Sequence, residues 1–127
     1  MSNSLFQSTI KNTTRNARLI AFTLAPQGAA TPKIISGTGI KSVSRTSAGL
    51  YVVNFAHAYR FLIDAQLTLQ FSAITQLWGT YAGLNVKASG TGKQSATISL
   101  FNSAGTATDM AANANNLIYG EIFVQNA

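Results

Sequence analysis

The sequence contains no cysteine and few charged residues. Without thiols, neither disulfides nor thiolate metal sites can hold this 127-residue chain together, so its stability must come from packing or from assembly with other chains. Only 9% of the residues are charged, whereas a typical soluble domain has about 25%. A surface with so little charge is poorly protected against association, and this favours a protein whose surface is covered by neighbours.

Groups suited to catalysis are scarce as well. The chain has three carboxylates, Asp64, Asp109 and Glu121, and one histidine, His57. A hydrolase or transferase usually needs paired titratable groups, and nothing in the sequence brings two of these together. One histidine and scattered carboxylates also give no metal-ligand spacing. We therefore predict that the protein is not an enzyme and binds neither a metal ion nor a cofactor.

The stretch SGTGK at 89–93 is similar to part of a phosphate-binding loop. The Walker pattern needs a glycine where Lys87 stands and a hydroxyl residue where Gln94 stands. A helix should also follow the loop, whereas the residues after Gln94 alternate as they do in a strand. The stretch is therefore interpreted as a hairpin turn.

Long apolar runs are missing too. No segment approaches the ~20 apolar residues of a membrane span, and the start of the sequence lacks the basic and apolar regions of a secretory signal. Residues 1–17 are polar and without a sustained period, which predicts a flexible arm carrying Lys11 and Arg15. Residues 18–127 fit a single domain that is made in a cytoplasm and has no membrane partner.

In several segments of the sequence, apolar and polar residues alternate. The stretch KSVSRTSAGLYVVNF at 41–55 contains two alternating runs joined by Ser-Ala-Gly. Gly49 can adopt the positive φ that closes a short turn with a bulge. The sequence therefore predicts a β-hairpin in which Tyr51, Val53 and Phe55 share the face that meets the core.

Further segments show the same two-residue period. Strands are predicted at 18–25, 63–73, 84–88, 96–100 and 117–125, with a proline- and glycine-containing loop at 25–33, a turn at 36–39, and a long loop at 101–116 with room for one helical turn. Seven or eight short antiparallel strands predict an all-β fold, an antiparallel β-sandwich of the jelly-roll or immunoglobulin-like kind.

The C-terminal strand is apolar on both faces. Ile118, Ile122 and Val124 lie on one face, and Tyr119 and Phe123 lie on the other. A single sandwich covers only the inner face of such a strand. We therefore expect Tyr119 and Phe123 to pack against another subunit.

The net charge of +6 indicates an acidic partner. Nucleic acid is one candidate, because Arg18 follows the basic arm and Arg60 lies between Tyr59 and Phe61, where cations and rings could contact phosphates and bases. The other basic residues are spread singly: Lys33, Lys41, Arg45, Lys87 and Lys93. Without a recognised basic and aromatic motif, nucleic acid is disfavoured but stays an alternative. Trp78 is predicted to anchor a core or an interface, with sugar stacking as a second role.

Two segments resemble small β-rich virion proteins of tailed bacteriophages. They are GTGIKSVSRTSAGLYVVNF at 37–55 and SLFNSAGTATDMAANANNLIYGEIFV at 99–124, which share a strand, turn and strand pattern and an NxxGTAxD loop with that group. The group includes head decoration or cement proteins, which clamp the joints between capsid subunits, and pieces of tail or fibre structures. The resemblance implies a noncatalytic virion component.

The short chain without internal repeats favours a capsid decoration protein over a long fibre. Such a protein would be made in the host cytoplasm and would bind the major capsid protein on the capsid surface. It would also bind itself to form a homo-oligomer, with a trimer as one option, and would stabilise the assembled head. The candidate capsid or subunit contacts are Lys11, Arg15, Arg18, Lys41, Arg45, Tyr59, Arg60, Trp78, Tyr119 and Phe123. The alternatives are a tail or fibre module that binds host glycan and a coat protein that binds nucleic acid.

Overall fold

The chain forms eight β-strands in the computed structural model, which describes residues 17–73, 76–87 and 94–125. The strands are β1 (Ala17–Gln27), β2 (Ala30–Thr38), β3 (Ile40–Ser47), β4 (Leu50–Phe55), β5 (Phe61–Gln70), β6 (Leu77–Asn85), β7 (Ser95–Asn102) and β8 (Leu117–Gln125). They form two antiparallel sheets, sheet A in the order β2-β1-β8-β5 and sheet B in the order β3-β4-β7-β6. The predicted all-β sandwich is confirmed. The described residues include no helix that could cross a membrane.

The core lies between the inner faces of the two sheets. Every second side chain of the central strands points into it and is almost fully buried: Ile20, Phe22 and Leu24 in β1, Tyr51, Val53 and Phe55 in β4, Ala96, Ile98 and Leu100 in β7, and Ile118, Ile122 and Val124 in β8. The predicted core face of the 41–55 hairpin is thus confirmed. Each large side chain in this set stabilises the fold by about 1.5–3 kcal/mol through the apolar surface it removes from water.

The turn between β3 and β4 requires its glycine for two reasons. Gly49 has a φ of 69°, in the left-handed region where side chains are strained. A Cβ atom at this position would also lie 2.5 Å from the carbonyl oxygen of Leu100 and 2.7 Å from the backbone nitrogen of Thr108. The hairpin turn therefore packs directly against the end of β7 and the loop that follows it.

The loop predicted at 25–33 is wrong. β1 continues to Gln27, a tight turn includes Gly28 with a φ of 63°, and β2 already begins at Ala30. Pro32 lies inside β2, which is the edge strand of sheet A, where a missing N–H group costs little. The turn predicted at 36–39 is reduced to Gly39, because the three residues before it belong to β2.

The strand with the cleanest alternation is less buried than its pattern indicates. β5 ends at Gln70 rather than at residue 73, and its inward side chains Ala65, Leu67 and Leu69 are only half-buried. The reason is position, because β5 is an edge strand of sheet A and faces β6, which is an edge strand of sheet B. β6 itself begins at Leu77, seven residues before the strand predicted at 84–88, and β7 extends to Asn102.

Gly120 gives a direct test of the packing between β1 and β8. It lies opposite Phe22 in the register of these strands, and a Cβ atom at this position would overlap the buried Phe22 ring. We predict that Gly120→Ala lowers the free energy of unfolding by about 1–3 kcal/mol, because the ring must leave its preferred position. Urea unfolding at neutral pH measures the change.

Gly83→Ala is the matched control, since a Cβ atom there meets only the Thr97 side chain, at 3.7 Å and beyond. The Gly83→Ala variant should be as stable as the wild type or slightly more stable, because alanine restricts the unfolded chain. Equal unfolding midpoints for the two variants would contradict the assigned contact between Gly120 and Phe22.

Candidate functional site

Asp109, in the loop between β7 and β8, is bound by several hydrogen-bond donors at once. Its Oδ1 atom accepts hydrogen bonds from Arg45 Nε at 3.1 Å, from the Gly49 N–H at 2.8 Å and from the Tyr51 hydroxyl at 3.0 Å. Its Oδ2 atom accepts a hydrogen bond from Arg45 Nη2 at 2.7 Å, which completes a bidentate ion pair. We call these four residues the Asp109 clamp.

Strand register explains how the Asp109 clamp forms. Arg45 and Tyr51 lie opposite each other on β3 and β4, on the face that turns toward the other sheet. A cation at an inward position needs an anionic partner, because its desolvation would otherwise be costly. The loop supplies this partner, and a hydrogen bond of 3.0 Å from the Thr108 N–H to the Leu100 carbonyl holds it in place.

The electrostatics of the Asp109 clamp oppose proton transfer near neutral pH. The hydrogen bonds from Arg45, and then those from Gly49 and Tyr51, lower the pKa of Asp109 to about 2. Burial, assisted by the hydrogen bond to Asp109, raises the pKa of Tyr51 to about 12. The carboxylate is therefore ionised near neutral pH and already engaged by four donors, so its role is to fasten the loop.

A cleft of about 220 Å³ is lined by Asp109 itself and by residues of the neighbouring loops. Among its lining residues, Asn116 is buried and uses its amide to join two loops. Asn116 Oδ1 accepts a hydrogen bond from the Ser72 N–H at 2.7 Å, and Asn116 Nδ2 donates to the Ala111 carbonyl at 3.0 Å. Within the described residues, no cluster of three or more His, Asp or Glu side chains could hold a metal ion.

The outward surface of β1, β8 and β5 is one of three candidate binding surfaces, and we call it the sheet-A face. Leu19 and Phe123 lie side by side across β1 and β8 and are 42% and 37% exposed. Tyr119 lies on the same face and donates a hydrogen bond of 3.0 Å from its hydroxyl to Gln70 Oε1. The predicted residues Tyr119 and Phe123 thus lie outside the core of their own chain, as a subunit contact requires.

A second surface lies at the end of the sandwich where β1 begins and β8 ends, and we call it the cationic end. Arg60 and Lys87 both approach the ring of Phe61, with the guanidinium carbon 5.1 Å and the ammonium nitrogen 5.5 Å from the ring centroid. Arg18 and Tyr59 line a shallow groove on the same end, together with His57. The Arg60 N–H donates to the carbonyl of Gln125 at 2.8 Å and joins this end to β8.

The third surface is the outward face of sheet B around Trp78, which we call the aromatic platform. Trp78 is 48% exposed and lies opposite Phe101 in the register of β6 and β7. The two ring centroids are 6.4 Å apart, with an angle of 19° between the planes. A shallow groove beside these rings is lined by Asn102, Ser103 and Gly105.

The remaining predicted contact residues are dispersed. Lys41 is exposed in β3, and Lys11 and Arg15 lie outside the described residues, as does most of the predicted arm at 1–17. Arg45 is paired with Asp109, so its charge is balanced within the chain. Of the predicted cations, Arg18 and Arg60 lie at the same end of the sandwich, where β1 begins and β5 begins.

The sequence reasoning missed the Asp109 clamp and the pairing of Trp78 with Phe101. One signal pointed to the clamp, because Arg45 falls opposite Tyr51 if the 41–55 hairpin is paired through its turn. A cation next to a core tyrosine calls for an anion. The choice between the three carboxylates required the path of the loop, since Arg45 and Asp109 are 64 residues apart.

The Asp109 clamp predicts a specific dependence of stability on pH. The pKa of Asp109 is lowered from 3.8 to about 2 on folding, so its contribution is complete above its ordinary pKa and is lost as the pH falls through about 2. We predict that Asp109→Asn lowers the free energy of unfolding at neutral pH by about 1–3 kcal/mol. Its stability should also fall less steeply than that of the wild type between pH 4 and pH 2, as measured by denaturant unfolding.

Asp64→Asn is the control for this experiment, because Asp64 is exposed on the sheet-A face. Its stability should follow the wild-type curve at each pH. Parallel pH profiles for the Asp109→Asn variant and the wild type would show that the clamp does not stabilise the fold.

Comparison with known proteins identifies no relative of this chain, since no family model, no curated protein and no solved structure matches it. The fold and the three surfaces of the chain itself are therefore the basis for inferring its function.

Proposed function

We propose that the chain is a noncatalytic structural protein of a phage virion, a decoration protein that binds the assembled head and stabilises it. The observation that carries the proposal is the adjacency of two surfaces. The exposed apolar sheet-A face, with Leu19 and Phe123, meets the cationic end at Phe61 and Gln125, which are paired across β5 and β8. The resemblance of segments 37–55 and 99–124 to phage virion proteins supports the same conclusion.

Each surface suits a different contact. The sheet-A face carries the exposed apolar side chains Leu19 and Phe123 beside the carboxylates Asp64 and Glu121, and its apolar centre suits an interface between subunits. The cationic end carries Arg18, Arg60 and Lys87 beside aromatic rings and suits an acidic surface such as the exterior of a protein shell. An oligomer formed through the sheet-A face would present several cationic ends at once, and this multivalency would strengthen binding to a repetitive shell.

The stabilising mechanism follows from mass action. A protein that binds the assembled shell but not the loose subunits shifts the equilibrium toward the closed shell. No step in this mechanism requires a catalytic group. The three carboxylates fit this noncatalytic mechanism, because Asp109 is engaged by four donors and Asp64 and Glu121 are exposed on an open sheet face.

Nucleic acid is the second candidate partner, because Arg60 and Lys87 both flank the ring of Phe61. Phosphates and bases can use such a combination of cations and rings. Binding to DNA would show a steep fall in affinity with rising salt. It would also be independent of whether a shell is assembled, and this separates it from the decoration role.

The cationic end generates a prediction for the heat resistance of particles. Heads assembled without this chain should release DNA at a lower temperature than complete heads, and adding back the purified wild-type protein should restore the release temperature. The double variant Arg60→Gln and Lys87→Gln should restore it poorly, because its contacts with an acidic shell are weakened. A fluorescent dye that reports released DNA measures the transition.

Lys33→Gln is the control, since Lys33 is an exposed cation on β2 that pairs with Ala25 near the end of β1, away from the cationic end. This variant should restore heat resistance as the wild type does. If heads with and without the chain release DNA at the same temperature, the proposed stabilising role is wrong.

The sheet-A face generates a second prediction, on self-association. Phe123→Gln should reduce the apparent association constant about tenfold or more, because a truncated aromatic anchor at an interface costs more than 1 kcal/mol. Sedimentation equilibrium across a range of protein concentrations measures this change. Trp78→Gln, a substitution of similar chemistry on the opposite sheet, should leave the association unchanged.

A monomeric wild-type protein at all concentrations would contradict the subunit contact. An equal loss of association in the Phe123→Gln and Trp78→Gln variants would show that the sheet-A face is not the specific contact.

A further inference from the structure

We infer that the aromatic platform on sheet B is a binding site for a neutral oligosaccharide. This inference does not depend on the proposed role in the virion, since it concerns a surface on the other sheet. It rests on three properties of that surface: an exposed tryptophan ring stacked with a partly buried phenylalanine ring, neighbouring hydroxyl groups and a lack of charge. The rings and the hydroxyl groups lie on β6 and β7, and the uncharged surface extends over β4 as well.

The rings of Trp78 and Phe101 are stacked nearly parallel on the outward side of sheet B. With 19° between their planes and 6.4 Å between their centroids, they lie beside each other as directly opposed residues of β6 and β7. The axial C–H groups of a pyranose ring carry partial positive charge and pack against the negative face of an aromatic ring. Two neighbouring aromatic rings can accept adjacent sugars of one chain.

Exposure of Trp78 is unusual for a residue of its size. Almost half of its surface is accessible, although burying a tryptophan is among the largest apolar contributions a side chain can make. Its ring contacts Phe101 at the surface rather than joining the central cluster of buried residues. The fold therefore presents this ring outward, where a ligand can cover it.

Hydroxyl groups continue the surface next to the rings. Thr80 and Ser99 form the next outward pair along β6 and β7, and Thr97 lies opposite Gly83 beyond them. Hydroxyls both donate and accept hydrogen bonds, as the hydroxyl groups of a sugar do. On the other side of the rings, Asn102 and Ser103 line the groove. An exposed aromatic ring with polar groups on both sides matches the apolar and polar surfaces that a sugar presents.

Charge decides between the ligands that could stack on the aromatic platform. The strands β4, β6 and β7, which carry the outward surface around Trp78, contain no charged residue. A nucleic acid would bring phosphates that require cations, and these are gathered at the cationic end of the sandwich, beyond the far ends of β6 and β7. An acidic glycan would also need cations, and these three strands provide none. A neutral oligosaccharide fits the surface as it is.

The sequence itself provides the reporter for the test. Trp78 is the only tryptophan of the chain, so its fluorescence reports on the aromatic platform alone. The probes are hexasaccharides of glucose, of mannose and of N-acetylglucosamine, together with an array of neutral and acidic glycans. We expect at least one neutral oligosaccharide to shift the Trp78 emission in a saturable way and to bind equally well at low and high salt.

Variants connect the binding to the aromatic platform. Trp78→Ala should weaken binding about tenfold or more, and Phe101→Ala should weaken it to a smaller extent, since each removes one stacking surface. The array detects binding of the variant that lacks tryptophan. Lys33→Gln, on β2 of the other sheet, should bind the oligosaccharide as the wild type does. Thermal melting confirms that each variant is folded.

Several results would overturn the inference. It is wrong if no neutral glycan binds, if binding survives Trp78→Ala in the folded variant, or if only acidic glycans bind and are released by salt. It is also wrong if Trp78→Ala disrupts self-association, since the platform would then be a contact between copies of the chain. A failure of shell binding, by contrast, would affect the virion proposal and leave this inference intact.

Discussion

A two-layer sandwich can cover only one face of each of its sheets, and this constraint organises the whole molecule. The alternation of side chains in β1, β4, β7 and β8 sends one set into a common core and leaves the other set on the surface. The core set is apolar in each of these strands. The outward set differs between the two sheets, and this difference is the source of the surfaces on which the proposed functions depend.

The two ends of the sandwich are also different. At one end, Asp109 fastens the long loop at 103–116 to the β3–β4 hairpin, and Met110 of the same loop is buried in the core. At the other end, Arg18, Arg60 and Lys87 remain accessible beside aromatic rings. An ion pair with Asp109 thus closes one end, whereas the other end has exposed cations. Five charged residues, Arg45 and Asp109 at one end and Arg18, Arg60 and Lys87 at the other, therefore give the two ends different electrostatic character.

Local patterns predicted much of this fold. The hairpin at 41–55, its inward residues and the strand at 117–125 follow from alternation and from one glycine. β2 was missed because Pro32 reads as a loop residue, and only its edge position makes it acceptable in a strand. The start of β6 was missed because Trp78, Gly79 and Thr80 do not alternate clearly on their own.

The candidate site was less predictable, since it depends on contacts between distant residues. Tyr119 and Phe123 could be assigned to an outward face because they lie on one short strand. Arg45 and Asp109, or Trp78 and Phe101, come together only through loop paths and strand register that no local pattern encodes. Interface roles for the predicted residues stay predictions, since they concern molecules outside this chain.

Binding to the assembled shell but not to its building blocks is the central claim of the account. Cosedimentation of the purified protein with empty heads, compared with binding to unassembled major capsid protein, tests it most directly. The account predicts that the protein pellets with the heads at a saturable stoichiometry and shows no measurable complex with the free subunits. A protein that stays in the supernatant, or one that binds free subunits as tightly as heads, would contradict it.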